Sequence, residues 1–102
     1  MSIKKQFLKS KPVCKVTFRI PNSMGNSVAK ANVVGEFNGW SVSANPMKRL
    51  KSGGFTATID LEKDREYQFR YLLEGRQWEN DPEADKFAPT PYQDALNSVI
   101  VV

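Results

Sequence analysis

Trp40 follows a β-branched run and a turn, in the segment Gly35-Glu36-Phe37-Asn38-Gly39-Trp40. Asn-Gly pairs favour turns because both residues tolerate positive φ angles. The turn lifts Trp40 away from the preceding strand, whereas Phe37 is expected to enter the core. A tryptophan in this position either covers an edge of the core or presents a flat apolar surface to a ligand.

Three more side chains could take part in recognition. Trp78 has polar neighbours on both sides, which places its ring near the surface. Arg70 lies on a strand that buries alternate aromatic residues, so the pleat turns its guanidinium to the opposite face. Asn97 stands at the mouth of the last strand, where its amide could cap a loop or bond a ligand. The local pattern alone slightly favours both tryptophans as covers of the core, and for Arg70 the alternative is an ordinary solvated arginine.

The composition argues against an enzyme. The chain has no histidine, which removes Ser-His and Cys-His nucleophile pairs and histidine-containing zinc sites. The single Cys14 can form neither an internal disulfide nor a thiolate cage, and we expect it to be a buried small hydrophobe in a reducing, cytoplasmic setting. We expect no cofactor.

Four carboxylates alternate along one loop, at Glu79, Asp81, Glu83 and Asp85. The spacing is similar to that of a calcium loop, but Pro82 stiffens the middle and no downstream glutamate follows at the required distance. A glycosidase pair would need two facing carboxyl groups in a cleft, which a small loop does not provide. The pattern therefore predicts neither a metal site nor a catalytic pair.

Positive charge is concentrated at the start of the chain. The net charge is +4, and residues 1–35 contain basic residues but no acidic residue. The favoured interpretation is a solvated basic arm over residues 1–11. The alternative is that these basic residues attach the protein to a membrane or a nucleic acid. Only two aromatic residues accompany these basic side chains, which argues against a nucleic-acid platform. The first residues lack the apolar region of a secretory signal, and no apolar run approaches about 20 residues, so we expect neither a signal nor a membrane span.

Alternating apolar and polar residues predict short strands, as in 13–20, where Cys14, Val16, Phe18 and Ile20 share one face. Similar strands are predicted at 28–37, 47–51, 55–61 and 66–73, around Trp78 and at 97–102, with a long loop over 81–94. About seven short strands separated by turn signals, without any helical period, predict an all-β, immunoglobulin-like sandwich. We expect one domain, covering residues 12–102, after a loosely held arm.

An ordered set of segments resembles the family 48 carbohydrate-binding modules. This family includes the N-terminal domains of isoamylases and glycogen-branching enzymes and the glycogen-binding domain of the AMP-activated protein kinase β subunit. The similar segments are 33–40, 54–61, 67–71, 74–78, the Asp-Pro pair at 81–82, and 97–102. The resemblance implies an early-set immunoglobulin-like fold and non-catalytic binding of α-1,4-linked glucans such as glycogen or maltooligosaccharides.

The resemblance also implies a binding site. Kinase-associated members stack two tryptophans on glucose rings, and these match Trp40 and Trp78. A basic residue that bonds sugar hydroxyls matches Arg70, where lysine is usual, and a ligand asparagine matches Asn97.

The chain departs from those members just before Asn97. Gln93 and Ala95 stand where those members have a leucine that enters the curved glucan and a nearby threonine. We therefore expect glycan affinity or chain-shape preference to differ. The alternative function is a protein-interaction module that keeps the fold but binds sugar weakly or not at all. Such a module would form a homodimer or dock onto a glycogen-metabolising enzyme.

Overall fold

The computed structural model describes residues 3–21, 28–90 and 96–102. Those ranges contain one short 3₁₀ turn, Glu36–Asn38, and none of their helices is long and apolar enough to cross a membrane. They also contain nine strands: β1 Ile3–Phe7, β2 Val13–Ile20, β3 Ala31–Gly35, β4 Lys48–Arg49, β5 Phe55–Glu62, β6 Glu66–Leu73, β7 Gln77–Glu79, β8 Lys86–Pro89 and β9 Leu96–Val101.

The strands form two antiparallel sheets. Sheet A has the order β1-β2-β5-β4, and sheet B has the order β3-β6-β9-β8, with β7 also paired to β6. The two sheets pack as a sandwich, which confirms the predicted all-β, early-set immunoglobulin-like fold. Strand β6 occupies an interior position in sheet B, with β3 along one edge and with β9 and β7 along the other.

The core lies between the sheets and follows the predicted alternation. The predicted apolar face of β2 is fully buried, and it meets the aromatic residues of β6. The ring of Phe18 packs edge-on against Phe69, with centroids 4.9 Å apart, and lies 5.6 Å from the ring of Phe37. Cys14 is a free, buried thiol, as predicted. Phe37 contacts this core, which confirms its expected role.

A second apolar group lies on the other side of sheet B. Val34, Leu72 and Val99 are buried, yet they stand apart from the core cluster between the sheets. Val34 is paired with Arg70 and Val99 with Gln68, so their side chains point away from sheet A. We call these three residues the outer apolar layer, and the side of sheet B on which they lie the outer face. This face can therefore carry a site supported by apolar packing.

Two strands differ from the prediction. The segment expected to be a loosely held arm contains β1, which pairs with β2 along its whole length. The segment 81–94, expected to be one loop, contains β8, which pairs with β9. Both are edge strands, which keep one side open to solvent and therefore tolerate polar residues and proline. Gln93 and Ala95 lie outside the described residues.

Candidate functional site

Arg70 and Asn97 meet on the outer face of sheet B. Tyr67, Phe69 and Tyr71 are buried on the inner side of β6, so the pleat directs Arg70 outward, as predicted. The Nε of Arg70 donates a hydrogen bond of 2.7 Å to the Oδ1 of Asn97. This bond fixes the plane of the guanidinium, whose two terminal nitrogens carry its remaining four N–H donors.

Gln68 extends this pair into a row of three polar side chains. The Nδ2 of Asn97 donates to the Oε1 of Gln68 at 2.9 Å. Gln68 and Arg70 are two residues apart on β6, so they share the outer face. The role of Gln68 was not predicted from the sequence, because a hydrogen bond to a residue 29 positions away depends on strand register. The three side chains form a preorganised set of donors and acceptors.

Trp78 lies on the same face, beside this polar row. In the β6–β7 pair, Trp78 stands directly opposite Leu72, so both side chains point to the same side. Leu72 is two residues beyond Arg70 and only 3% exposed, whereas Trp78 remains 43% exposed. The indole therefore points to the same side as the outer apolar layer, with much of its surface open to solvent. We call Gln68, Arg70, Trp78 and Asn97 the outer-face site.

Trp40 lies on the other side of β6. It follows β3, which pairs with the β6 edge opposite to the one that β7 occupies. Its backbone N–H donates to the carbonyl of Gly35 at 2.9 Å, and its φ angle is 60°. Left-handed backbone is strained for a bulky residue, by about 1–3 kcal/mol. Trp40 is 40% exposed. The two tryptophans thus flank β6, and the turn fixes the backbone of Trp40 in an uncommon conformation.

Asn38 holds the turn that carries Trp40. Its Oδ1 accepts the backbone N–H of Gly35 at 3.1 Å. Its Nδ2 donates to the carbonyl of Val33 at 3.1 Å and to the Oδ1 of Asn45 at 2.7 Å. The Asn-Gly pair correctly indicated a turn, but it did not show that the asparagine side chain would bind both ends of it. Asn38 is therefore a structural residue of the turn.

Asn80 performs a similar task around Asn97. Its Nδ2 donates to the carbonyl of Leu96 at 2.8 Å, and its Oδ1 accepts the N–H of Ser98 at 3.0 Å. The two bonded residues are the immediate neighbours of Asn97. Since Asn80 directly follows β7, it also ties the Trp78 strand to the start of β9. This role of Asn80 was not predicted from the sequence, because it depends on how β7 and β9 are placed together.

The alternating carboxylates take separate structural roles. Asp81 is fully buried and accepts a 2.6 Å hydrogen bond from the hydroxyl of Tyr71. Burial, together with the Asp81 carboxylate, raises the pKa of Tyr71 far above its ordinary value, so the hydroxyl stays a donor. Asp85 instead forms an ion pair with Lys5 at 2.8 Å. These carboxylates are directed to different partners and do not converge on one point.

The fold and the outer-face site together describe a small β-sandwich with an exposed indole beside a fixed row of polar side chains, which is typical of a ligand-binding module. The chain belongs to the carbohydrate-binding module 48 family, described as the isoamylase N-terminal domain, whose family model matches residues 15–90. The matched range includes Trp40, Arg70 and Trp78 and ends before Asn97. A comparison with curated proteins gives no match. The family resemblance is thus confirmed, and the chain is a member of a family of non-catalytic carbohydrate-binding modules.

Proposed function

We propose that this module binds α-1,4-linked glucans of the glycogen or starch type in a cytoplasmic setting. Trp40 and Trp78 stack on glucose rings, while Arg70 and Asn97 bond sugar hydroxyls. The observation that carries this proposal is the position of the half-exposed Trp78 indole on the same face as the Arg70–Asn97 hydrogen bond. Family membership supports the carbohydrate as the class of ligand.

The chemistry of this face suits a sugar. A pyranose ring has an apolar C–H side, which an indole can cover without needing hydrogen bonds, and the negative face of the indole attracts the partly positive C–H groups. The hydroxyls at the rim of the ring need donors and acceptors at fixed positions. Arg70 supplies N–H donors, and the amides of Asn97 and Gln68 supply both kinds of group. Because Arg70, Asn97 and Gln68 already bond each other, little side-chain freedom is lost on binding.

The expected affinity for one short chain is low. Covering roughly 100 Å² of each indole contributes about 2.5 kcal/mol, so two rings contribute about 5 kcal/mol. Association costs about 4–15 kcal/mol, so the two rings alone do not suffice and hydrogen bonds to the polar side chains must supply the remainder. We expect a Kd on the order of micromolar to millimolar. Firm attachment to a polymer would then depend on many sites along the same particle.

The proposal is tested by titrating the protein with maltoheptaose or β-cyclodextrin and following tryptophan fluorescence and heat. Saturable binding is expected in the wild-type protein. Losing one indole should weaken binding on the order of 50-fold in Trp40→Ala and in Trp78→Ala, with both variants still folded. Phe7→Ala is the matched control, because Phe7 is an exposed aromatic residue of sheet A. A wild-type protein that stays silent at about ten millimolar ligand, well beyond the expected Kd range, would exclude the proposal.

A protein-interaction surface is the second candidate function. Trp40, Trp78 and Leu96 are large apolar side chains that remain exposed, and exposed apolar groups are typical of docking surfaces. The partner would be a second copy or a glycogen-metabolising enzyme. Light scattering coupled to size exclusion separates the homodimer from the sugar module. A dimer that dissociates in Trp78→Ala and ignores maltoheptaose would favour the second candidate, whereas a monomer at high concentration would exclude the homodimer.

A further inference from the structure

The outer face of sheet B carries a groove next to the outer-face site. Its volume is about 400 Å³, and the residues that line it include Glu36, Glu66, Gln68, Lys86 and Val99. We call it the Glu66 groove. Gln68 belongs both to this groove and to the row of hydrogen bonds formed by Arg70 and Asn97. The groove is therefore continuous with the outer-face site.

The direction of β6 shows how the two regions are arranged. Glu66, Gln68, Arg70 and Leu72 alternate along the outer face at intervals of about 7 Å. Trp78 stands opposite Leu72, at one end of this line, and the groove lies around Glu66 and Gln68, at the other end. A chain that leaves the Trp78 ring and follows β6 past Arg70 enters the groove.

The groove has an apolar floor and polar walls. Val99 is buried beneath it, as part of the outer apolar layer. The Nζ of Lys86 and the Oε2 of Glu66 form an ion pair at 2.8 Å, with both side chains about half exposed. The Oε1 of Glu36 accepts the backbone N–H of Gln68 at 2.7 Å, which fixes that carboxylate at the wall. Donors and acceptors are thus presented around an apolar base.

The charges of the groove favour a neutral ligand. The carboxylates of Glu36 and Glu66 would repel a phosphate. The ion pair with Lys86 offsets the charge of Glu66, and the Glu36 carboxylate already accepts a backbone N–H, so the groove has only a weak net charge with which to attract a cation. A polyhydroxylated, uncharged ligand can accept from the ammonium and donate to the carboxylates at the same time. Its C–H groups can lie on the apolar floor.

We infer that the Glu66 groove is an additional subsite, which binds glucose units of a longer chain whose other units occupy the Trp78 end. This inference rests on the proposed glucan binding. The subsite makes affinity depend on chain length, because a short oligosaccharide at the Trp78 end does not reach Lys86 and Glu66. The hydroxyls of the extra units bond those two side chains.

The experiment compares maltotriose with maltoheptaose by calorimetry, in the wild-type protein and in the double variant Glu66→Ala/Lys86→Ala. We expect the wild-type protein to bind maltoheptaose more tightly than maltotriose. In the double variant the ratio of the two affinities should fall about fivefold, which is the effect of about one hydrogen bond. Maltotriose binding should not change. In nitrogen-15-labelled protein, maltoheptaose should shift the backbone amide signals of Glu66 and Lys86, and maltotriose should not.

The matched control is Lys15→Ala/Asp60→Ala, because these two residues face each other across β2 and β5 in sheet A. Like the test variant, this control removes one positive and one negative charge. It should keep the wild-type preference for maltoheptaose over maltotriose. Thermal unfolding establishes that both double variants are folded. A preference that survives in Glu66→Ala/Lys86→Ala would overturn the subsite and leave the glucan proposal intact. The subsite would also be overturned if the wild-type protein bound both sugars equally, or if Glu66→Ala/Lys86→Ala lost maltotriose binding. A wild-type protein that binds neither sugar would exclude both proposals.

Discussion

Gly35 lies where the end of β3 approaches β6 most closely. A Cβ atom at this position would lie 2.6 Å from the carbonyl oxygen of Gln68, 2.8 Å from the Cβ of Phe69 and 2.9 Å from the ring of Phe37. The first two contacts involve the backbone and the first side-chain atom of a paired strand, which cannot move without disturbing the sheet. Glycine at this position therefore allows the end of β3 to pack closely against β6.

Replacing Gly35 with alanine should therefore destabilise the fold. We expect Gly35→Ala to lower the free energy of unfolding by about 1–3 kcal/mol, the usual cost of overpacking. Chemical denaturation with urea measures the change.

Gly75→Asn is the control for this substitution. Gly75 has a φ angle of 70° and open space where a Cβ would lie, and asparagine tolerates left-handed backbone. This variant should unfold within about 0.5 kcal/mol of the wild-type protein. If Gly35→Ala were equally neutral, the packing around Gly35 would be looser than described.

Single residues of the site were predictable to different degrees. The outward direction of Arg70 followed from the alternation of Tyr67, Phe69 and Tyr71, since a pleat has a period of two residues. The hydrogen bond between Arg70 and Asn97 could not be predicted, because it depends on the register of two strands far apart in the sequence. The stacking roles of Trp40 and Trp78 remain predictions.

At the scale of elements, β7 and β9 are joined by one side chain. Asn80 bonds the carbonyl of Leu96 and the N–H of Ser98, and the hydroxyl of Ser98 donates to the Oδ1 of Asn80 at 2.8 Å. Ser98 is fully buried, so these groups have no access to water. Asn80 therefore fixes the backbone on both sides of Asn97.

Removing this side chain should affect both the fold and the site. Asn80→Ala leaves buried polar groups of Ser98 without this partner, which should cost about 1–3 kcal/mol in the free energy of unfolding. Where glucan binds as proposed, affinity should also fall severalfold, because Asn97 loses its fixed position. Urea denaturation and maltoheptaose titration measure the two effects.

Gln77→Ala is the matched control on the same short strand. The Gln77 amide donates a solvent-exposed hydrogen bond to the carboxylate of Glu79, so its loss should change the free energy of unfolding by less than about 0.5 kcal/mol. Unchanged stability in Asn80→Ala would contradict the role assigned to Asn80.

The predictability of each strand depended on its place in a sheet. Strands β2 and β6 lie in the interior of their sheets and cover the core, so their apolar residues alternate clearly in the sequence. Strand β1 contains three polar residues among five, and β8 ends in proline. Strand β1 is a strand because it pairs with β2, and β8 because it pairs with β9. Such pairing leaves no local pattern in the sequence of the edge strand.

At the scale of the whole molecule, one ion pair connects the edges of the two sheets. Lys5 belongs to β1 of sheet A, and Asp85 directly precedes β8 of sheet B. The same carboxylate oxygen also accepts the N–H of Val101 at 2.7 Å. Partial burial acts to raise the pKa of Asp85, but the hydrogen bonds from Lys5 and Val101 and the charge of Lys5 together hold that pKa below its ordinary value.

This lowered pKa predicts how stability depends on pH. A carboxyl group with a lowered folded-state pKa stabilises the fold above its unfolded pKa of about 3.9, and this contribution is lost as pH falls through the folded value. The advantage of the wild-type protein over Asp85→Asn should therefore be constant from pH 7 to about pH 5 and shrink below about pH 4. Because the pair is partly exposed, we expect at most about 1 kcal/mol. Urea denaturation at pH 7, 5 and 3 measures the difference.

Lys5→Gln provides the complementary variant. Lys5 and Val101 both donate to the Asp85 carboxylate, and only the Val101 bond remains in Lys5→Gln. The stability that Asp85 contributes should therefore depend less on pH in this variant. A difference between the wild-type protein and Asp85→Asn that stayed unchanged down to pH 3 would show that the Lys5–Asp85 pair does not stabilise the sandwich.

The position of Trp78 opposite Leu72 has an evolutionary consequence. Leu72 belongs to an apolar layer outside the core and is nearly inaccessible to water, and a large side chain opposite helps to keep it so. Selection for a soluble, folded domain would therefore retain a large aromatic residue at position 78 even in a descendant that no longer met a glucan. Arg70 stands opposite Val34 of the same layer, whereas Asn97 belongs to the polar row, so such a descendant would lose Asn97 first. If this module binds glucan as proposed, drift at position 97 with the tryptophan retained would distinguish a relic of this fold from a working module.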